Sequence, residues 1–111
     1  MALVQSDIVL ADGAIYQVEP GKTINDAIVN SGGRLEILSS GTAFSPTVNS
    51  GGWIYVSSGG TANSTTVNSG GRLHVSTGGT AVDVLENGGY INVEDGANVT
   101  FIPNIINEIS L

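Results

Sequence analysis

The sequence contains no cysteine, only three basic residues and few aromatic side chains. Without cysteine there is no disulfide, no thiol nucleophile and no thiolate metal site. Ten acidic residues against three basic ones give a formal net charge of −7. A nucleic-acid-binding surface needs a basic stripe, and an anionic membrane surface would repel this charge. Since no run of about eighteen apolar residues occurs either, we expect neither a nucleic-acid partner nor membrane insertion.

The sequence is rich in glycine and poor in charged residues, with 16 glycines and 12% charged residues among 111. This length suits a single domain, and the scarcity of large rings predicts a narrow core of Val, Ile and Leu. Residues 1–10 lack the basic start and apolar run of a signal peptide, so we expect any export signal to lie elsewhere in a parent protein.

An internal repeat organises most of the chain. Glycine pairs recur at a spacing of roughly 19 residues, and the last interval is shorter by one. After each pair, apolar and polar residues alternate, which predicts a strand with one buried face. A second strand is predicted from each Thr-Ala pair to the following Val-Asn pair, with SSG, SSGG or STGG turns between the two strands. The glycine pairs are Gly32-Gly33, Gly51-Gly52, Gly70-Gly71 and Gly88-Gly89.

Such short strands bury an apolar face only when equivalent coils stack in parallel and in register. The sequence therefore predicts an all-β fold, a right-handed parallel β-helix (β-solenoid) of about five coils of roughly 19 residues. Residues 1–12 are expected to form an N-terminal cap, 13–98 the repeats, and 99–111 a C-terminal cap or oligomerisation segment. Three ladders are predicted: Tyr16, Leu35, Ile54, Leu73, Ile91 and Val29, Val48, Val67, Leu85 in the core, and Asn30, Asn49, Asn68, Asn87 at a corner.

The segment SSGGTANSTTVNSGGRLHVSTGGTA, residues 57–81, resembles the AIDA-type repeat of bacterial autotransporter adhesins, and a weaker match spans about residues 13–98. The resemblance implies a β-helix in a cell-surface passenger that takes part in adhesion or self-association, and hence an extracellular or cell-surface location. Ser and Thr on such repeats carry heptose in some family members. The matching hydroxyls here are Ser58, Thr61, Ser64 and Thr66.

The outward positions of the first strand form what we call the Arg/aromatic face. One predicted ladder on it runs Ile15, Arg34, Trp53, Arg72, Tyr90, and the other runs Gln17, Glu36, Tyr55, His74, Asn92. In this register Trp53 would lie between two guanidiniums, a favourable cation–π arrangement. The ladders either stabilise the sheet surface or bind a glycan or protein partner. The candidate partner-binding residues are Arg34, Trp53, Tyr55, Arg72, His74 and Tyr90.

Both ends of the chain are apolar where the repeat fades. A solenoid exposes a sheet edge at each end, and such edges must be capped or paired. The C-terminal segment is the most hydrophobic, and Pro103 disfavours a regular central strand there. It forms either a cap or, in the hypothesis we favour, the interface of a homo-oligomer. The candidate interface residues are Phe101, Ile102, Ile105, Ile106, Ile109 and Leu111.

Motifs for catalysis and metal binding are absent from the sequence. There is no G-x-S-x-G, P-loop or H-E-x-x-H motif. The single histidine, His74, is expected to be a solvated ladder residue, and Glu94 and Asp95 to point apart in a turn. Asp83 has no acidic neighbour in the preceding coil with which to bind calcium. We therefore expect no catalytic residue, no metal and no cofactor in a non-enzymatic surface scaffold that self-associates, or alternatively in an adhesin that binds carbohydrate or a host surface.

Overall fold

The computed structural model describes residues 4–6 and 8–102, and all its regular elements are β-strands. That part of the chain holds no helix that could cross a membrane. The described residues form fifteen strands, in chain order β1 (Val4–Ser6), β2 (Val9–Leu10), β3 (Ile15–Val18), β4 (Thr23–Asn25), β5 (Ile28–Val29), β6 (Arg34–Ile37), β7 (Thr42–Phe44), β8 (Thr47–Val48), β9 (Trp53–Val56), β10 (Thr61–Asn63), β11 (Thr66–Asn68), β12 (Arg72–Val75), β13 (Thr80–Asn87), β14 (Tyr90–Val93) and β15 (Asn98–Phe101).

The strands stack into a β-solenoid with three sides. One side is the five-stranded sheet β3-β6-β9-β12-β14, whose outer surface is the Arg/aromatic face. The second side is β1-β4-β7-β10-β13, with β15 pairing β13, and the third is β2-β5-β8-β11-β13. All these strand pairs are parallel, and most partners are equivalent residues of successive coils. The predicted all-β parallel solenoid of about five turns is therefore confirmed.

The coils from β3 to β11 contain three strands each, so the prediction of two strands per coil was wrong for them, whereas in the next coil β13 runs through both the second and the third side. The segment expected to be one strand bends at a residue in the left-handed region at equivalent positions: Asp26, Ser45, Ser64 and Asp83, with φ of 57°, 56°, 58° and 59°. The next residue in each coil then points inward and is buried. A left-handed residue turns the chain sharply, which lets two short strands face the same core. The buried residues that follow the bend are Ala27, Pro46, Thr65 and Val84.

The core is a column of Val, Ile, Leu and Ala. Leu35 and Ile54 are fully buried and Leu73 is 1% exposed, while Tyr16 and Ile91 at the two ends of that ladder are partly exposed. The prediction for the second core ladder was wrong at its last residue, Leu85.

Leu85 does not continue the ladder of Val48 and Val67. It lies opposite Thr66, and the exposed Glu86 lies opposite Val67. The fully buried side chains of β13 are Ala81 and Val84, and Val84 follows the left-handed Asp83 as Thr65 follows Ser64. The regular register continues as far as the pair of Asn68 and Asn87. The glycine pairs that follow these two asparagines are closer together in sequence than the earlier pairs. The missing residue therefore falls in the turn after β13 rather than within the strand.

The predicted asparagine ladder forms a chain of side-chain hydrogen bonds. The Nδ2 of Asn49 donates to the Oδ1 of Asn30 over 2.9 Å, and Asn68 donates to Asn49 over 2.8 Å. Asn87 donates to Asn68 over 2.9 Å. Each inner amide therefore donates to the coil before it and accepts from the coil after it, which satisfies polar groups at a partly buried corner.

The two glycines of each pair serve different purposes. Gly51 has φ of 80°, in the left-handed region that favours glycine. Gly52 is buried, and a Cβ there would lie 2.5 Å from the carbonyl oxygen of Val29 in the coil before it. The first glycine is thus required by the turn, and the second by the close approach of two backbones.

The described parts of the terminal segments extend the stack. Strands β1 and β2, within the predicted N-terminal cap, pair with β4 and β5. Strand β15 reaches Phe101, which lies opposite Val84. Phe101 and Ile102 are 52% and 42% exposed. The other predicted interface residues, Ile105, Ile106, Ile109 and Leu111, lie outside the described residues.

Replacing the second glycine of a pair is predicted to cost more stability than replacing one that only adopts a positive φ. Gly52→Ala should clash with the Val29 carbonyl, whereas Gly21→Ala meets nothing within 4 Å and should cost about 1–2 kcal/mol from its left-handed backbone alone. The measurement is the free energy of unfolding in denaturant. If Gly52→Ala were no more destabilising than Gly21→Ala, the close-approach argument would be wrong.

Candidate functional site

The Arg/aromatic face has the register that the sequence predicts. Parallel pairing places the two outward ladders side by side on one sheet, because alternate residues of each strand point to the same face. The first ladder is Ile15, Arg34, Trp53, Arg72, Tyr90, and the second is Gln17, Glu36, Tyr55, His74, Asn92.

The two arginines of the first ladder stack on different rings. The guanidinium carbon of Arg34 lies 5.1 Å from the centre of the Trp53 ring and 6.0 Å from that of Tyr55. Arg72 lies over Tyr90 instead, at 5.7 Å. The expectation that Trp53 lies between two guanidiniums was therefore wrong. The register makes both neighbours of Trp53 arginines, but the side chain of Arg72 turns toward the following coil.

The second ladder begins with a polar network around Glu36. The amide of Gln17 donates to Oε1 of Glu36 over 2.8 Å, and the Nε of Arg34 lies 2.8 Å from Oε2 of the same carboxylate. Arg34 is thus both paired with a carboxylate and stacked on an aromatic ring. Its charge is partly neutralised within the protein, and its orientation is fixed by these contacts.

His74 is packed rather than solvated, which corrects the prediction for this residue. Its ring is stacked on that of Tyr55, with centres 5.0 Å apart and planes at 9°. The Nδ2 of Asn92 lies 2.9 Å from Nδ1 of His74, and Nε2 lies 3.2 Å from Oε2 of Glu94. With the Asn92 amide as donor, Nδ1 accepts and Nε2 carries the proton that points to Glu94.

Further hydrogen bonds join this cluster to the neighbouring turn. Oε1 of Glu94 accepts from the backbone N–H of Thr77 over 3.1 Å, and the hydroxyl of Ser76 donates to the Tyr55 hydroxyl over 2.9 Å. Asp95 contributes its backbone carbonyl to Thr77 rather than its carboxylate. Both nitrogens of the imidazole have partners, so this group holds the face together and offers no unpaired ring nitrogen.

Two shallow grooves run beside the first ladder, and sequence reasoning missed them. One has a volume of about 280 Å³ and lies against Arg34 and Trp53, and the other has about 370 Å³ and lies against Arg72 and Tyr90. Their floors are glycines of the turns that precede the strands. The signal was present in the sequence, because each outward Arg or aromatic residue directly follows a glycine pair that has no side chains to fill the space.

A third hollow, of about 60 Å³, lies among Trp53, His74 and Tyr90. Sites that enclose a small molecule usually have about 300–1,000 Å³. The hollow is too small for such a ligand, and the two grooves are near the lower limit and open to solvent. The face is therefore suited to contact an extended ligand along its surface.

The hydroxyls that the resemblance marks as sugar acceptors lie on other parts of the coil. Ser58 is exposed in a turn, and Ser64 is exposed at the left-handed bend. Thr61 and Thr66 are partly exposed in β10 and β11. Their modification stays a prediction.

Comparison with solved structures shows a likeness to a fragment of a known adhesin. The chain is similar to the crystal structure of a hyper-glycosylated fragment of TibA, residues 55–350, whose glycosylation is catalysed by TibC. TibA is an AIDA-type autotransporter adhesin. The TM-score is 0.61 at 30% sequence identity, and the match covers 86% of this chain and 39% of the TibA fragment. This likeness, together with the solenoid fold, supports an AIDA-like repeat that spans about two fifths of that fragment.

No family model matches the sequence, and no curated protein matches it.

The pairing of Arg34 with Trp53 is predicted to be measurable as a coupling energy. A double-mutant cycle of Arg34→Gln and Trp53→Leu should give about 0.5–1 kcal/mol in the free energy of unfolding, as expected for an exposed cation–π contact. The matched cycle of Arg72→Gln and Trp53→Leu should give a coupling near zero, because Arg72 stacks on Tyr90. Equal couplings in the two cycles would contradict this assignment.

Proposed function

We propose that this chain is a non-enzymatic repeat module of a larger bacterial cell-surface protein, which acts as a scaffold and associates with further copies of itself. The likeness to a TibA fragment supports an adhesin-related repeat and a surface location. The three-sided stack supports the scaffold role, because a continuous core joins every coil to its neighbours.

The observation that carries the self-association proposal is the C-terminal end of the core. Val93 lies in register with Val75, and Val75 continues the fully buried ladder of Ile37 and Val56. Val93 is nevertheless 42% exposed. Within the described residues, β14 pairs only with β12, so one edge of this strand offers unpaired backbone groups.

Strand β15 ends the second side of the solenoid in the same way, since among the described residues it pairs only with β13. Phe101 in this strand and Ile102 directly after it are 52% and 42% exposed. Large exposed apolar groups next to an unpaired strand edge favour association with another strand-bearing surface. A second copy of the chain presents parallel strands at the same spacing, so it would continue both the core and the backbone ladder.

The test is the molar mass of the full chain by light scattering over a wide concentration range. We expect mass to rise with concentration, and Phe101→Ser with Ile102→Ser to weaken association at least about tenfold, since two buried apolar contacts would be lost. The matched control is Ile28→Ser with Phe44→Ser, which changes two exposed apolar side chains in strands β5 and β7, between the two ends of the solenoid.

The control should associate like the original chain. A monomeric mass at the highest concentration, or an equal loss in the control, would refute self-association through this end.

A second candidate function is ligand binding by the Arg/aromatic face, and the exposed Trp53 and Tyr90 beside two grooves favour it. Aromatic and Arg side chains are enriched where binding energy is concentrated. This second function is independent of the open C-terminal end, so the double serine variant at Phe101 and Ile102 should retain it.

A further inference from the structure

We propose that the Arg/aromatic face binds an extended acidic glycan, aligned with the solenoid axis and carrying an acidic group on alternate sugars. The proposal rests on the second candidate function above and adds the class and direction of the ligand. Three features of the face carry it: the spacing of its arginines, the exposure of its rings, and the charge of the chain around it.

The two arginines of the first ladder repeat along the solenoid axis. Arg34 and Arg72 are both in register with Trp53, one coil before it and one coil after it. Since neighbouring strands lie about 4.7–4.9 Å apart, the two strand positions are roughly 9.5 Å apart. The length of one sugar in an extended glycan is close to the strand spacing. A glycan along the axis therefore places every second sugar opposite an arginine.

The sugars between would meet aromatic rings and glycine floors. Trp53 is 38% exposed and Tyr90 61% exposed, so both rings present surface to an incoming ligand. Each ring borders one of the grooves floored by glycine turns. A pyranose has an apolar face of C–H groups that packs on an aromatic ring, and a floor without side chains lets the sugar approach the strand ends closely.

The local charge of the face differs from that of the chain. The formal net charge is −7, yet two of the three Lys and Arg residues stand in this one ladder. Arg34 is paired with Glu36, whereas Arg72 forms no ion pair with any described residue. Arg72 therefore has a guanidinium free to bind a carboxylate or sulfate, and such charge-assisted contacts are strong and directional.

A peptide or nucleic acid fits this face less well. A peptide commonly binds a sheet by adding a strand to its edge, but β6, β9 and β12 are paired on both sides. Nucleic acid carries a phosphate at every nucleotide and is bound by neutralising many of them, whereas this face has two arginines that lie two coils apart. Recognition must come from side chains on the open surface, which suits a glycan.

The chain provides its own reporter of binding, because Trp53 is its only tryptophan. The experiment titrates the full chain with hyaluronan oligosaccharides, which carry a carboxylate on alternate sugars, and follows tryptophan emission. Neutral dextran oligosaccharides of equal length serve as the matched ligand. We expect a saturable change in emission with hyaluronan that weakens as salt is added, and little change with dextran.

Two pairs of variants test the residues. Arg72→Gln should weaken hyaluronan binding about tenfold, while Lys22→Gln, which removes the same charge away from this ladder, should leave it unchanged. Tyr90→Ser should weaken binding, while Phe44→Ser, at a 44% exposed aromatic on another side of the solenoid, should not. Circular dichroism and thermal unfolding confirm that each variant keeps the fold.

The outcomes separate this proposal from the broader one. Equal binding of dextran and hyaluronan, with loss in Tyr90→Ser alone, would overturn the acidic ligand and leave the face as a binding surface. Equal weakening by Arg72→Gln and Lys22→Gln, or binding of poly-glutamate equal to that of hyaluronan, would show that the chain attracts polyanions in general. Either result would overturn the proposal of a specific glycan ligand. No emission change with any glycan would overturn this proposal and remove the support for the second candidate function.

Discussion

The stacking distance between coils is the constraint on which the rest of this structure depends. Each backbone lies one strand spacing, about 4.8 Å, from its equivalent in the next coil, so every side chain has an equivalent position directly above or below it. Buried Gly52 is required because a Cβ would meet the carbonyl of Val29. The same constraint favours asparagine at the corner, where an amide both donates and accepts. It also explains why Trp53 separates Arg34 from Arg72, since two guanidiniums stacked at that distance would repel each other.

The parts of the structure that follow from a constant spacing were predictable from the sequence. The glycine pairs, the outward ladders and the asparagine corner all recur at a nearly constant interval along the chain. Parallel in-register pairing places residues separated by that interval next to each other in neighbouring coils. The Arg/aromatic face follows from this interval alone. Its residues are neighbours because they share a strand position in successive coils, and no distant segments need to be brought together.

Features that depend on local geometry could not be predicted in this way. The bend after β7 uses Ser45 in the left-handed region, where glycine would have been the recognisable signal. Glu86 rather than Leu85 lies opposite Val67 because the missing residue falls after β13, and the spacing of the glycine pairs does not show where within the coil a residue is missing. Arg72 stacks on Tyr90 because of the rotamer that its side chain adopts, and the strand register does not determine that rotamer. His74 was placed on the correct face, but its packing on Tyr55 and its contact with Glu94 arise from side chains of three different coils.

The parallel direction of the strands, which the asparagine ladder shares, makes the two ends of the solenoid different surfaces. Asn87, Asn68 and Asn49 each donate to the asparagine one coil nearer the beginning of the chain, and all the strands point the same way around the axis. Two copies that continue this parallel stacking join head to tail, because a head-to-head contact would reverse the strand direction at the junction. A head-to-tail contact is heterologous: it uses a different surface on each partner and leaves one of each kind unoccupied. Such an interface has no closed dimer as its natural end point, and repeated along the axis it produces a filament.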